Sequence, residues 1–414
     1  MPIITQKDKD ILRALAHKQY EYSQTDSMKQ LRRDWTAHND CRPGRPMITV
    51  ELETFQQDVI PPLLQCAGET ARAIEARLYS NIVNHELFKD DSIVRDHMAV
   101  RHHTTFTPFG IPVQVKRLSD SLGHHFEEVL SDLQEDFHLL GPSVFSVDME
   151  GMRRELELYH DLFDGILPVR VAGSGLYAVP TQNIIHIMSM ENMMFAMYDY
   201  PEEFHAMMAR LTDDCLAFFK FMEQEGLLLP TTGDEPLGQG TYCFTDELPG
   251  APACEGRPLS TKDVWGFMDS QETAGISPEM YETFIFPYYK KISDTFGLLS
   301  YGCCEAVDPI WERCLSKLDN LRKVSISPWC NEDYMGEQLR GRPIVYHRKP
   351  SPNFLGVGSV LDEDGLRAHI RKTVHAARGC TLEITQRDVY TLGNTYEKVA
   401  RYVEIVREEC DKFQ

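Results

Sequence analysis

The sequence predicts an α/β fold, a (β/α)8 TIM barrel with an N-terminal helical extension. Short apolar segments alternate with segments of helical periodicity along most of the chain, and eight of the apolar segments qualify as strands. The length of 414 residues suits one large barrel with a short extension. We therefore expect the extension to cover residues 1–45 and the barrel to cover residues 46–414.

The predicted elements begin with a helical segment over residues 5–40, which ends at the breaker Pro43-Gly44. Met47–Glu51 is then predicted as the first strand. The other seven predicted strands are Val94–Arg101, Leu167–Val171, Val264–Asp269, Leu298–Gly302, Lys323–Ser327, Ile344–His347 and Thr381–Ile384. Leu227–Thr232 is a ninth candidate, which we assign to an insertion or an extra strand, and residues 231–258 resemble a long surface loop.

Helices between these strands are indicated by residues typical of helix starts. Pro201 and the pair Ser277-Pro278 open segments of helical periodicity, and a third such segment follows Asp362. A serine can cap the free backbone N–H groups, and proline in the first turn loses no needed donor. Helices alternating with strands predict a mainly parallel sheet.

The composition excludes several classes of function. A formal net charge of -21 argues against nucleic acid as a partner, and no apolar run is long enough to predict a membrane span. No phosphate-binding glycine loop is present, because Gly238-Gln239-Gly240 lacks a flanking strand and helix. Eleven cysteines without a disulfide-framework spacing and no secretory leader predict a cytoplasmic protein with free thiols.

The candidate site follows from the polar residues at the predicted strand ends, where barrel enzymes carry their catalytic groups. Cys303, Cys304 and Glu305 are predicted as zinc ligands, because zinc accepts sulfur and carboxylate oxygen and a catalytic zinc needs three protein ligands. Adjacent cysteines point opposite ways on a strand, so an alternative is that only one faces the site. Glu305 could equally act as a general acid or base or form a loop salt bridge.

Further strand-end residues complete the prediction. His347 is assigned a catalytic role as a proton carrier or third ligand, with a solvated loop residue as the alternative. Trp329 is predicted to contact the substrate as an aromatic wall, or else to cap the barrel core. Gln271, Tyr301 and Glu51 are also predicted to contact substrate. The groups Asp269 to Glu272 and Gln386-Arg387-Asp388 end their strands at the same rim.

Three segments resemble the uroporphyrinogen decarboxylase-like superfamily. They are Leu298–Glu305, Asn320–Trp329 and Gln386–Val389, and the Tyr-Gly-Cys-Cys-Glu stretch is similar to a branch related to corrinoid-dependent methyltransferases. The resemblance spans about residues 45–410. It implies the barrel fold and zinc ligation through Cys303, although the histidine that precedes this cysteine in the methyltransferases is absent here. The later cysteine of that zinc site has no clear counterpart either.

True uroporphyrinogen decarboxylases carry an Arg-Gln-Ala-Gly-Arg-Tyr element after the first strand, where this chain has Glu51-Leu52-Glu53-Thr54-Phe55. Acidic residues there would repel a polycarboxylate porphyrin. The resemblance thus implies a methyltransferase component that moves a methyl group from a methoxylated or methylated small molecule to a corrinoid protein. The alternatives are a lyase or decarboxylase of a small carboxylate, or a non-catalytic corrinoid- or substrate-binding protein. A homodimer is a further possibility.

Overall fold

A computed structural model describes residues 4–117, 124–250, 256–393 and 395–412. Its strands, in chain order, are β1 (Met47–Val50), β2 (Met98–Val100), β3 (Thr104–Thr107), β4 (Val115–Arg117), β5 (His124–Phe126), β6 (Val144–Val147), β7 (Val169–Val171), β8 (Leu176–Ala178), β9 (Pro236–Gly238), β10 (Thr241–Tyr242), β11 (Trp265–Met268), β12 (Leu298–Tyr301), β13 (Leu321–Ile326), β14 (Val345–Arg348) and β15 (Thr381–Gln386).

The centre of the molecule is a seven-stranded parallel sheet in the order β1-β15-β14-β13-β12-β11-β8. The first strand of the chain therefore lies beside the last. β2 and β7 form a separate parallel pair, and three further pairs are antiparallel, namely β3 with β6, β4 with β5 and β9 with β10. The prediction of an α/β protein with a mainly parallel sheet is confirmed, and in the described ranges β1 and β8 are the edges of that sheet.

Each of the eight predicted strands overlaps an observed strand. The ninth candidate is not a strand, because Leu227–Leu229 follow the end of a long helix as irregular chain. The sequence missed β8, a segment of only three residues. The predicted surface loop is wrong in its first part, where β9 and β10 form a hairpin that places Gln239 in the interior.

Helices surround the sheet. Those of at least eight residues are Gln6–Ser23, Asp26–Asn39, Glu69–Val83, Met149–Phe163, Met190–Asp199, Pro201–Gln224, Phe286–Ser293, Glu332–Leu339, Glu363–Ala376 and Glu397–Asp411. The shorter α-helices are Gln56–Val59, Leu133–Asp136, Pro180–Ile185, Pro278–Phe284, Asp308–Trp311 and Asn353–Gly356. In the described ranges, none of the helices has the length and apolar content needed to cross a bilayer.

The predicted helix starts have the expected caps. Ser277 Oγ accepts the backbone N–H of Met280, with Pro278 in the first turn. Asp362 likewise caps its helix by accepting the N–H of Gly365. These contacts satisfy backbone donors that have no partner within the helix.

The N-terminal helix Asp26–Asn39 packs against the end of the sheet where the strands begin. Trp35 is fully buried and donates its Nε1–H to the carbonyl of Asp91 (2.8 Å). His38 Nε2 lies 3.3 Å from a carboxylate oxygen of Glu383 on β15. The predicted extension thus contributes side chains to the interior of the sheet domain.

Candidate functional site at the carboxyl ends of the strands

The two neighbouring cysteines lie just beyond β12, which ends at Tyr301. Gly302 has φ +100°, a conformation that a side chain would strain, and it turns the chain out of the strand. Alternation of side chains across a strand therefore stops before Cys303 and Cys304, and their Sγ atoms lie 3.4 Å apart. The two sulfurs therefore lie side by side, whereas a continuing strand would point them to opposite faces.

Arg387, just beyond β15, reaches the same point. Its Nη1 donates to Cys303 Sγ at 3.0 Å, and its Nε donates to Glu51 Oε2, also at 3.0 Å. A hydrogen bond from the Cys304 thiol and the positive charge of Arg387 hold the pKa of Cys303 below its usual value, although burial opposes this. Cys303 therefore loses its proton more readily than a typical buried cysteine does.

Cys304 is the partner that keeps its proton. Its Sγ lies 3.1 Å from Asp388 Oδ2, and its hydrogen bond to Cys303 raises its pKa, as does its burial. The single S–H can donate to only one of these two acceptors at a time. The pair is thus asymmetric, with one sulfur prepared for negative charge and the other for a proton.

The carboxylate of Glu305 accepts hydrogen bonds from the backbone. Its Oε2 accepts the N–H of Cys303 (2.8 Å), and its Oε1 accepts the N–H of Ser270 (3.0 Å). Burial raises the pKa of this carboxyl, while the backbone N–H groups lower it. The side chain therefore joins the end of β11 to the turn after β12 and fixes the direction of Cys303.

Asp269, the first residue after β11, is an acid placed among other acids. It is only 2% exposed, and its Oδ1 has no hydrogen-bond partner among the described residues. Burial and the negative charges of Glu305 and Cys303 raise its pKa to about 9. This setting therefore favours the protonated form of the Asp269 carboxyl more than water would.

The tip of the β9–β10 hairpin forms a wall of the site. Gly238, Gln239 and Gly240 all have positive φ, at 93°, 58° and 73°. A Cβ on Gly240 would lie 2.6 Å from Thr385 Cγ2, so glycine is required there. The turn brings Gln239 Oε1 into a hydrogen bond with Arg387. A strained turn of this kind is typical of functional sites.

A cavity of about 450 Å³ lies on the other side of this wall. Glu51 and Gln239 border it, so the two partners of Arg387 also line the cavity. The rest of its lining mixes apolar residues with polar ones, and the polar ones include Glu53, Gln56, Ser80, Asn81, Asn84, Ser92, Arg95 and Tyr242. Arg387 therefore links this cavity to the sulfur of Cys303.

His347 lies in a fully buried polar cluster. Its Nε2 is 2.8 Å from Thr385 Oγ1 and 3.0 Å from Lys349 Nζ, and it is 3.3 Å from Glu383 Oε1. Lys349 Nζ also donates to the carbonyl of Gln239 (2.7 Å). Burial and the charge of Arg387 lower the pKa of Lys349 to about 7. The alternative that His347 is a solvated loop residue is wrong, because its ring is in the interior.

The other three residues that were predicted to contact substrate differ in how deeply they are buried. Tyr301 is buried, and its hydroxyl lies 2.6 Å from both Ser270 Oγ and the hydroxyl of Tyr281. Gln271 begins a short 3-10 turn after β11 and is partly exposed. Trp329 is 77% exposed, so it does not cap the core.

The sequence assigned no role to four residues that the structure brings to this site. Asp269 and Arg387 carried a signal, since both were predicted to lie at the rim where the strands end. Gln239 carried a weaker one, a Gly-x-Gly turn without a flanking helix. Lys349 gave none, because a lysine after a strand is usually solvated.

The residues expected to hold zinc do not form a three-ligand set in this arrangement. Both oxygens of Glu305 accept backbone N–H groups, and Cys303 Sγ faces a guanidinium. Within residues 4–117, 124–250, 256–393 and 395–412, no three side chains of His, Cys, Asp or Glu converge to hold a metal ion.

Comparison with known proteins finds likeness in structure. No protein-family model matches the chain, and no curated protein matches it. Among solved structures it is similar to a methyltransferase from Methanosarcina mazei, with a TM-score of 0.50 and 13% sequence identity. The match covers 92% of this chain and 98% of that chain. At this identity the likeness shows a shared fold over nearly the whole of both chains.

Proposed function

We propose that this protein is a methyltransferase component that moves a methyl group from a methoxylated or methylated small molecule to a corrinoid carried by a separate protein. The observation that carries the proposal is the group Cys303, Arg387 and Asp269, which lies at the carboxyl ends of the strands beside a cavity of about 450 Å³. The fold shared with a methyltransferase supports it. So does the resemblance of the Tyr-Gly-Cys-Cys-Glu stretch to a corrinoid-related branch.

We place this site at the mouth of a (β/α)8 barrel. The seven-stranded sheet already sets the first strand beside the last, and its free edges are β1 and β8. The parallel pair of β2 and β7 comes between these two edges in the chain. Insertion of the pair there would keep the strands in chain order around a closed sheet, with one strand more than the eight of a regular TIM barrel.

The transfer needs a proton at the departing atom. The methyl group leaves without the bonding electron pair, which stays on the oxygen or other heteroatom of the donor while the corrinoid cobalt supplies a new pair to carbon. The protonated Asp269 is suited to give a proton to that heteroatom, because its Oδ1 has no other partner among the described residues. Arg387 is suited to hold the donor between the cavity and Cys303.

Zinc held by Cys303, Cys304 and Glu305 stays a prediction from the sequence. A bound zinc ion acts as a Lewis acid on a leaving oxygen or sulfur. Elemental analysis of the purified protein beside Cys303→Ala checks it: one zinc per chain that is lost in the variant supports the prediction, and equal metal in both contradicts it.

The decisive experiment measures methyl transfer directly. The protein is incubated without oxygen with chemically reduced cobalamin and a matched set of donors: 2-methoxyethylamine, 1,2-dimethoxyethane and methoxyacetate. The formation of methylcobalamin is followed by its absorbance. Transfer from at least one donor is expected in the wild type, and Asp269→Asn should lower its rate by about 10²-fold or more.

Cys380→Ser is the matched control, since the Cys380 thiol donates to the carbonyl of Gly336 instead of facing Arg387. It should keep the wild-type rate. Release of carbon dioxide from methoxyacetate with no methylcobalamin would favour the rival decarboxylase. Tight binding of a corrinoid without turnover of any methylated compound would favour a binding protein. Either result contradicts the proposal.

A further inference from the structure

Cys303 and Cys304 are neighbours in the chain and in space, and both are free thiols. Their Sγ atoms are 3.4 Å apart, whereas a disulfide requires about 2 Å. Bond formation therefore needs a short approach of the two sulfurs, together with an adjustment of the backbone between the two residues, because adjacent Cα atoms are closer than those of most disulfides. Most adjacent cysteines lack this arrangement because strand geometry points them apart, and here Gly302 removes that restriction.

The surroundings assign different roles to the two sulfurs. Arg387 Nη1 lies 3.0 Å from Cys303 Sγ and favours negative charge on it, which makes it the attacking sulfur. Cys304 is the more exposed of the two. It lies beside Asp388 Oδ2 at 3.1 Å, a carboxylate that can take up its proton when it reacts.

We propose that Cys303 and Cys304 form a reversible oxidation site at which hydrogen peroxide converts the two thiols to a disulfide between neighbouring residues. Cys303 Sγ attacks one peroxide oxygen and breaks the O–O bond, giving a sulfenic acid and releasing water after protonation. Cys304 Sγ then attacks Cys303 Sγ, the S–O bond breaks and a second water leaves. The two sulfurs lose two electrons in total, and the peroxide gains them.

The disulfide changes the site in a defined way. Cys303 no longer carries a negative charge, so Arg387 loses one of its partners and keeps Glu51 and Gln239. A thiol reductant such as dithiothreitol reverses the reaction by exchange. This inference concerns the sulfurs alone and does not depend on methyl transfer.

Peptide mass spectrometry after oxidation of the folded protein tests the inference. The reduced protein is treated with a small excess of hydrogen peroxide in EDTA, alkylated with iodoacetamide, digested and analysed. The peptide that carries both cysteines should lose about 2 Da, the mass of two hydrogen atoms, and resist alkylation until dithiothreitol is added. The wild type alone decides this point, so it does not require any variant to fold.

Variants then assign the bond. Cys304→Ser should accumulate sulfenic or higher acids at Cys303 with no loss of hydrogen, and Cys303→Ser should react much more slowly. Cys380→Ser, whose thiol lies elsewhere, should form the disulfide as the wild type does. Absence of the 2 Da loss in the wild type, or its presence in Cys303→Ser, overturns the inference. Both results are independent of any methyl-transfer measurement.

Discussion

Single residues in this site act through charge placed in a buried setting. Cys303 gains stability as a thiolate from one hydrogen-bonding thiol and one guanidinium, while Asp269 is kept protonated by burial and two neighbouring negative groups. Removal from water strengthens both effects, because charges interact more strongly where water is excluded. The same buried setting thus favours negative charge on the sulfur and a proton on the carboxyl.

Replacement of Arg387 tests the charge on Cys303. Arg387→Gln should raise the pKa of Cys303, because the positive charge 3.0 Å from its sulfur is lost. Arg387→Lys keeps a positive charge and should raise it less. The rate of iodoacetamide modification of the Cys303 peptide against pH measures the change, and an unchanged profile in Arg387→Gln would contradict the assignment.

Asp269 makes stability depend on pH. Because its folded-state pKa of about 9 exceeds that of an unfolded aspartate, the folded protein binds the extra proton between these two values. The free energy of unfolding therefore falls as pH rises through that window. Asp269→Asn should be more stable than the wild type at about pH 8 and gain little at about pH 4. Urea unfolding at both pH values measures this, and a gain that is equal at the two would contradict it.

At the scale of elements, buried ion pairs join strands that are not adjacent in sequence. Lys323 on β13 donates to Glu383 on β15 at 2.9 Å, and both side chains are fully buried. Lys323 also lies 5.4 Å from the centre of the Trp35 ring, and His38 approaches Glu383. The N-terminal helix thus covers charge in the sheet interior, which ties the predicted extension to the domain.

Breaking this pair should be costly. Glu383→Gln removes the charge that balances Lys323 and should lower the free energy of unfolding by about 3 kcal/mol or more. Lys323→Met combined with Glu383→Leu should recover much of the loss, because neither charge is then left unpaired. Glu150→Gln, in an exposed pair with Arg153, serves as the control and should change little. Urea unfolding gives the three values, and a double variant no better than Glu383→Gln would contradict the argument.

At the scale of the whole molecule, one of the four tryptophans differs from the others in its exposure to solvent. Trp35, Trp265 and Trp311 are fully buried, and Trp329 is 77% exposed near the carboxyl end of β13. In the function we propose, this exposed ring would be available for contact with the corrinoid protein. The formal net charge of -21 should also make any docking there sensitive to salt.

Intrinsic tryptophan fluorescence measures the solvent exposure of Trp329. Iodide should quench a fraction of the wild-type emission, and Trp329→Phe should abolish that fraction because the other three rings are inaccessible. Acrylamide, which is uncharged, provides the control for repulsion of iodide by the negative surface. Quenching that persists in Trp329→Phe would show that a second ring is reached by solvent.

The sequence by itself determined the alternation of strands and helices, the parallel sheet and the rim where Cys303 and Glu305 lie. These follow from local signals, namely apolar runs, caps and polar residues directly after strands. Local rules did not predict the strand Leu176–Ala178, because three residues are too few to show a strand pattern. They also failed at the hairpin of β9 and β10, which the sequence predicted as part of a surface loop.

Only the tertiary structure decided which strand-end residues meet. Arg387 reaches Cys303 from 84 positions along the chain, and Gln239 joins them through a turn of three positive φ angles. The tertiary structure also buries the ring of His347 and sets the sulfurs of Cys303 and Cys304 next to each other. The physical reason is that such contacts depend on strand order and on backbone turns at glycine, and neither is encoded in the spacing of any one segment.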